Sequence, residues 1–168
     1  MRKLLIACIA LLMVSMPTIT QAETFSSENI SASFPVPDGF TAQDFAEEEK
    51  GVFGVQVVAD DQSVLYLTGY IEDETYVGVS MESITDEQME AIGRIFFEEE
   101  PFEFELAQED DYSTIDFYAA DGSKMVIAVV FDDGFIDFDA LVSAGEELTD
   151  EQYDAFFAFL DSIVFEEE

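Results

Sequence analysis

Ile84-Thr85-Asp86-Glu87-Gln88-Met89 and Leu148-Thr149-Asp150-Glu151-Gln152-Tyr153 read I-T-D-E-Q-M and L-T-D-E-Q-Y, one helix start written twice. Thr85 and Thr149 are placed to cap, each hydroxyl accepting from an orphan N–H of the first turn. Gln88 and Gln152 stand three residues on, where the amide reaches back to the N–H of the cap. Ile84 with Met89, and Leu148 with Tyr153, make hydrophobic staples. Acidic residues fill the first turn, where the helix dipole favours them. Met89, Ile92, Ile95 and Phe96 then form one apolar stripe, and Tyr153, Phe156, Phe157, Leu160, Ile163 and Val164 another. The first helix is expected over Asp86 to about Phe97. Both segments run on to a Phe followed by three Glu, at Phe97 and Phe165.

Working outward, Val55–Asp73 lies against Ile115–Asp133 at a constant offset of 60, with Ala59, Asp61, Ser63 and Asp73 matched by Ala119, Asp121, Ser123 and Asp133. The caps are 64 apart and the Phe-Glu-Glu-Glu endings 68 apart. The order of elements argues for two copies of one unit, halves 30–100 and 102–168. The plainer alternative is two unrelated helices with a common cap. Each copy reads strand, strand, strand, strand, helix. In the first half the strands are Ile30–Val36, Val52–Ala59, Val64–Ile71 and Tyr76–Met81, with Phe40–Lys50 read as an acidic connector. In the second they are Phe102–Leu106, Tyr112–Ala119, Met125–Phe131, expected deepest, and Phe135–Val142 with Asp137 and Asp139 outward. Hairpin-length connections imply antiparallel pairing. The expected fold is α+β: one antiparallel sheet of about 7–8 strands with two main helices against it.

Met1–Ala22 has the layout of a secretory signal: Arg2 and Lys3, an apolar run Leu4–Met16, and Thr20-Gln21-Ala22 as a small-residue cleavage site. The run is shorter than the ~20 residues that span a bilayer. Cys8, the single cysteine, falls inside it. Removal of the signal leaves 146 of the 168 residues, suited to a single domain, 23–168, with its own core. Export to the periplasm or the medium follows, and no membrane insertion is expected after cleavage.

Thirty-nine acidic residues face five basic ones, a net charge of −34. Nucleic acid and anionic membrane are excluded as partners, since both demand positive charge. Such charge usually marks disorder, but 17 Phe and 49 % hydrophobic residues favour folding. A cationic protein or peptide, or divalent cations, suit the surface; adaptation to a salty habitat is another source of such acidity.

The chain has no His. That removes Ser-His and Cys-His activation and the commonest general base. No phosphate loop or dinucleotide fingerprint is present. A non-enzymatic protein is therefore expected. A carboxylate hydrolase is the weaker reading, because among 39 acids a suitable pair arises by chance. No cofactor is required. Calcium is the one metal considered, because Glu72-Asp73-Glu74 and Asp132-Asp133 with Asp137 sit at equivalent turns and hard cations want several oxygens. No EF-hand loop fits, and a solvated acidic turn is the plainer reading.

Two stretches carry a family resemblance. Phe34-Pro35-Val36-Pro37-Asp38-Gly39-Phe40 resembles an opening strand F-x-V-P-x-G-aromatic, and Leu160-Asp161-Ser162-Ile163-Val164-Phe165 resembles a closing L-x-S-I-x-F. Both are similar to the PsbP-like and DcrB-like exported proteins. The resemblance implies an antiparallel sheet flanked by helices and an accessory or binding role, and it assigns no functional residue.

Overall fold

A computed structural model describes residues 24–27, 29–108, 113–132, 134–145 and 148–165. The expected signal segment Met1–Ala22 lies outside the described residues, as do Asp133 and the closing 166–168. Among the described residues, ten strands and two helices follow one another: β1 (Thr24–Ser27), β2 (Ala32–Pro35), β3 (Phe40–Glu47), β4 (Val52–Ala59), β5 (Val64–Glu72), α1 (Asp86–Phe97), β6 (Phe102–Gln108), β7 (Ser113–Ala119), β8 (Lys124–Asp132), β9 (Phe135–Ser143), α2 (Asp150–Asp161) and β10 (Val164–Phe165). The fold is α+β. Seven strands form an antiparallel sheet in the order β3-β4-β5-β9-β8-β7-β6, and β1-β2-β10 form a second sheet of three.

Both capping boxes close. The Gln88 N–H donates to Thr85 Oγ1 at 3.3 Å and the Thr85 N–H to Gln88 Oε1 at 3.0 Å. The matching distances at Thr149 and Gln152 are 3.3 and 2.8 Å. Each cap stabilises its helix by about 1 kcal/mol. At the far end of α1 the Arg94 guanidinium donates to the carbonyls of Glu98 and Glu100, at 2.8 and 3.0 Å. Both carbonyls lie just past the last helical residue, so the side chain ties the helix end to the segment that follows it.

β9 is the hub. Residues 60 apart on β5 and β8 pair with the same residue of β9: Val64 and Lys124 with Ser143, Ile71 and Phe131 with Ile136, Glu72 and Asp132 with Phe135. The turns before β5 and β8 also correspond. Asp61 Oδ1 accepts from the N–H and hydroxyl of Ser63 at 3.0 and 2.6 Å, and Asp121 Oδ1 from those of Ser123 at 2.9 and 2.6 Å. Between β4 and β7 the correspondence slips by one residue: Val55 pairs with Thr68, but Ile115 with Ile127. Neighbouring residues of a strand point to opposite faces, so the slip turns Val55 and Ile115 to different sides of the sheet.

The helices lie on opposite faces. Met89, Ile92 and Phe97 of α1 pack with Leu65, Leu67, Ile115, Phe117, Ile127 and Phe138. Phe156 and Phe159 of α2 pack with Val55, Val57, Tyr66, Leu141 and, from the small sheet, Phe34. The small sheet thus shares the α2 face. It is tied to β3 by the Ser27 hydroxyl, which donates to Asp44, and by Asn29 Nδ2, which donates to the Phe45 carbonyl at 3.2 Å.

Several sequence expectations are corrected. The Phe40–Lys50 segment supplies β3, an edge strand with no fully buried residue. Tyr76–Met81 is not a strand: Glu74–Tyr76 is a 3-10 turn, Gly78 has a positive φ of 75°, and Val77 is exposed. The edge of β5 that this segment would have used is occupied by β9. The first half therefore gives three strands to the main sheet and the second half four. Ile30–Val36 narrows to Ala32–Pro35 in the small sheet. Val164 leaves the helical stripe and enters β10, because α2 stops at Asp161. The central strand is β9 rather than the Met125–Phe131 run.

Self-repulsion of the net charge of −34 opposes the compact state. Salt screens it over about 8 Å at physiological ionic strength. The melting temperature is expected to rise by several degrees from low to high sodium chloride, checked by thermal denaturation.

Candidate functional site

Alternation along β5 and β9 aims Thr68, Tyr70, Asp137 and Asp139 at the face that α2 also covers. Thr68 pairs with Asp139 and Tyr70 with Asp137. The helix and the small sheet sit over the other end of these strands, on Val64, Tyr66 and Leu141. Between that cover and the open end lies a cleft of about 450 Å³. Thr68, Tyr70, Asp137, Asp139 and the backbone of Gly69 and Phe138 line its floor, and Asn29, Ile30 and Phe165 its other wall. An aromatic row runs beside the carboxylates. Tyr70 stacks on Phe53 with centroids 5.3 Å apart, and Phe135 tilts against its other side at 6.2 Å.

Asp139 is half-buried on the cleft floor, whereas Asp137 is exposed at its mouth. Burial pushes the Asp139 carboxyl above its ordinary value, a hydrogen bond from the Thr68 hydroxyl pulls the other way, and the charge of Asp137 adds to the rise. Burial also raises Asp137, with Asp132 contributing by repulsion. The native state therefore holds these protons more tightly than the unfolded chain. Their contribution to stability falls as pH rises above the unfolded aspartate value of about 3.9, and recovers on acidification. Asp139→Asn keeps an acceptor for Thr68 and removes the charge. It is expected to raise the urea midpoint at pH 7, with the gain vanishing below about pH 4.

Among the described residues the basic side chains are engaged elsewhere. Lys50 bridges Glu47 at 2.9 Å and Glu98 at 3.5 Å, Arg94 meets Glu90 at 3.4 Å, and Lys124 meets Asp116 at 3.0 Å. Arg2 and Lys3 are the remaining basic residues, in the expected signal.

The six acidic residues considered for calcium are partly gathered and partly separated. Glu72 and Asp132 end β5 and β8 and both pair with Phe135. The Asp73 N–H donates to the Gly134 carbonyl at 2.9 Å, joining the two turns. The Asp73 carboxylate accepts from the Thr75 N–H and hydroxyl at 2.9 and 2.7 Å, so it serves the 3-10 turn. Glu74 is exposed in that turn, Asp137 lies in the cleft, and Asp133 is outside the described residues. Among the described residues no three acidic side chains stand where they could hold one metal ion. Also among them, no helix is long and apolar enough to cross a membrane.

No protein-family model matches the chain, and neither does any curated protein. The solution structure of cyanobacterial PsbP (CyanoP) from Synechocystis sp. PCC 6803 does. It superimposes with a TM-score of 0.52, covering 92 % of this chain and 99 % of that one, at 15 % identity. The fold is PsbP-like. The similarity expected from the Phe34–Phe40 and Leu160–Phe165 stretches is thus met at the level of architecture. At that identity it carries no residue roles. Thr68, Tyr70, Asn29, Ile30 and Phe165 are cleft residues that the sequence did not mark as site residues. The alternation of Asp137 and Asp139 was its only local sign.

Proposed function

We propose that this chain is an exported, non-enzymatic binding or accessory protein whose acidic surface takes a cationic partner. The observation that carries the reading is the cleft on β5 and β9. It holds two carboxylates on one face, while Lys50, Arg94 and Lys124 are each spent on other acids. The PsbP-like fold is compatible with an accessory role. A chain without His lacks the commonest general base for activating a hydroxyl nucleophile. The expected signal at Met1–Ala22 supports export.

A short lysine-rich peptide tests the reading. At about 0.15 M salt, where exposed charges more than ~8 Å apart are largely screened, calorimetry is expected to give saturable one-to-one binding, with none for an acidic peptide of equal length. Absence of binding, or a stoichiometry that climbs with peptide concentration, would count against it.

A low-affinity calcium module is the second reading: the hydrogen bond at Asp73 and Gly134 joins the two acidic turns, but no three acidic side chains gather among the described residues, so such a site would need further oxygens from backbone or water. It predicts saturable thermal stabilisation at millimolar calcium that sodium at equal ionic strength does not reproduce. Equal stabilisation by the two salts would remove it.

A further inference from the structure

We propose that the cleft between the β5–β9 floor and the small sheet is a binding site for an organic cation, an ammonium or guanidinium group held by Asp137 and Asp139 with its apolar body against Tyr70. This deepens the binding reading and rests on it.

Three observations carry it. The first is spacing. Residues two apart on a strand share a face and stand about 7 Å apart, so Asp137 and Asp139 offer acceptors on either side of one cationic head. A planar guanidinium, with five donors in a fixed fork, can address both. The second is the kind of wall. Tyr70 lies beside the carboxylates with Phe53 and Phe135 on its flanks, and Ile30 and Phe165 close the far side. Phe53 and Phe135 flank the Tyr70 ring, so Tyr70 offers the ligand its outer edge and hydroxyl, and apolar walls suit a carbon skeleton. A hard divalent ion wants six or more oxygens instead. The third is size: a volume of about 450 Å³ falls in the range that takes small ligands.

The energetics agree. Burial already disfavours charge on Asp139 and Asp137, and Asp132 on β8 repels Asp137 across the open end. A bound cation relieves both penalties at once. Partly desolvated carboxylates also interact more strongly with a cation than fully hydrated ones do.

The test uses arginine ethyl ester, which keeps the guanidinium and lacks a free carboxylate. It is titrated at about 0.15 M salt and followed by amide chemical shifts of the full chain. The wild type is expected to show saturable shifts concentrated at Thr68–Tyr70 and Asp137–Asp139. In Asp137→Asn/Asp139→Asn the affinity is expected to fall at least about tenfold, or ~1.4 kcal/mol. A control with the same charge change on the exposed first turns of α1 and α2, Glu87→Gln/Glu151→Gln, is expected to lose less than about twofold. Shifts spread evenly over the acidic surface, or equal weakening in the two variants, would overturn the site. If the ester binds but the cleft variant binds it equally well, the cleft assignment falls and the broader binding reading stands. If neither the ester nor the lysine-rich peptide binds, both fall. A blocked Gly-Arg-Gly peptide separates the two sources of the group. Tighter binding than the ester assigns the site to a basic side chain, and weaker binding assigns it to a free small cation.

Discussion

Truncating Phe117 to alanine is expected to cost about 4 kcal/mol, the largest loss from any single change considered. Phe117 on β7 has no exposed surface and lies beneath α1. Its ring meets Phe97, Phe102 and Phe104 at centroid distances of 5.8, 5.6 and 6.2 Å. Removing it forfeits the transfer energy of the ring and leaves a cavity that three neighbouring rings can fill only in part. Domains are stable by roughly 5–15 kcal/mol in total, so the variant should sit near the limit of folding. At ~2–4 °C per kcal/mol for a chain of this size, the melting temperature should drop by about 8–16 °C. Phe157→Ala on the exposed side of α2, where the residue is 43 % accessible, is expected to change it by only about 1–4 °C. Equal losses at the two positions would mean that α1 does not cover β7.

The second large effect is at Gly93, inside α1. Helix propensity alone favours alanine there by about 1 kcal/mol. Packing reverses the sign. A Cβ on Gly93 would lie 2.6 Å from Phe102 Cζ and 2.6 Å from Phe117 Cε1. Phe102 is half-buried on the edge strand β6 and packs against Phe97, Phe104 and Phe117, and Phe117 has no exposed surface, so neither ring yields freely. Gly93→Ala is therefore expected to destabilise by about 1–3 kcal/mol, and Gly93→Val by more. Adding Phe102→Leu should recover part of the loss by vacating space above the helix. Urea denaturation of the single and double variants measures this; a stabilised Gly93→Ala would show that α1 stands further from β6 and β7.

These positions show what was legible in the sequence. The capping boxes were, because a cap is a contact among residues three apart and needs nothing from the rest of the fold. The offset of 60 was informative for the same reason: an Asp-x-Ser turn and the strand after it are local. What failed depended on distant partners. Tyr76–Met81 alternates like a strand, yet the slot beside β5 belongs to β9, more than sixty residues later. Phe40–Glu47 looked like a connector because an edge strand half open to water carries little apolar signal. Alternation also told which residues share a face but not which face each helix would choose. That choice is made by packing between distant elements, and no residue announces it.

The cleft was half legible for a related reason. Asp137 and Asp139 stood out as polar residues alternating with Ile136, Phe138 and Ala140, and polar residues alternating with apolar ones normally face water. Here the outward side is roofed in part by Asn29, Ile30 and Phe165, from the two ends of the described chain. Asp139 is thereby half-buried, while Asp137 stays exposed at the mouth of the cleft.

A crystal structure of the full chain with arginine ethyl ester tests that enclosure most directly. The guanidinium is expected between Asp137 and Asp139, within hydrogen-bond reach of both carboxylates and with the ester body along Tyr70. A cleft filled by its own side chains, or a ligand bound only at other acidic patches, would contradict the account.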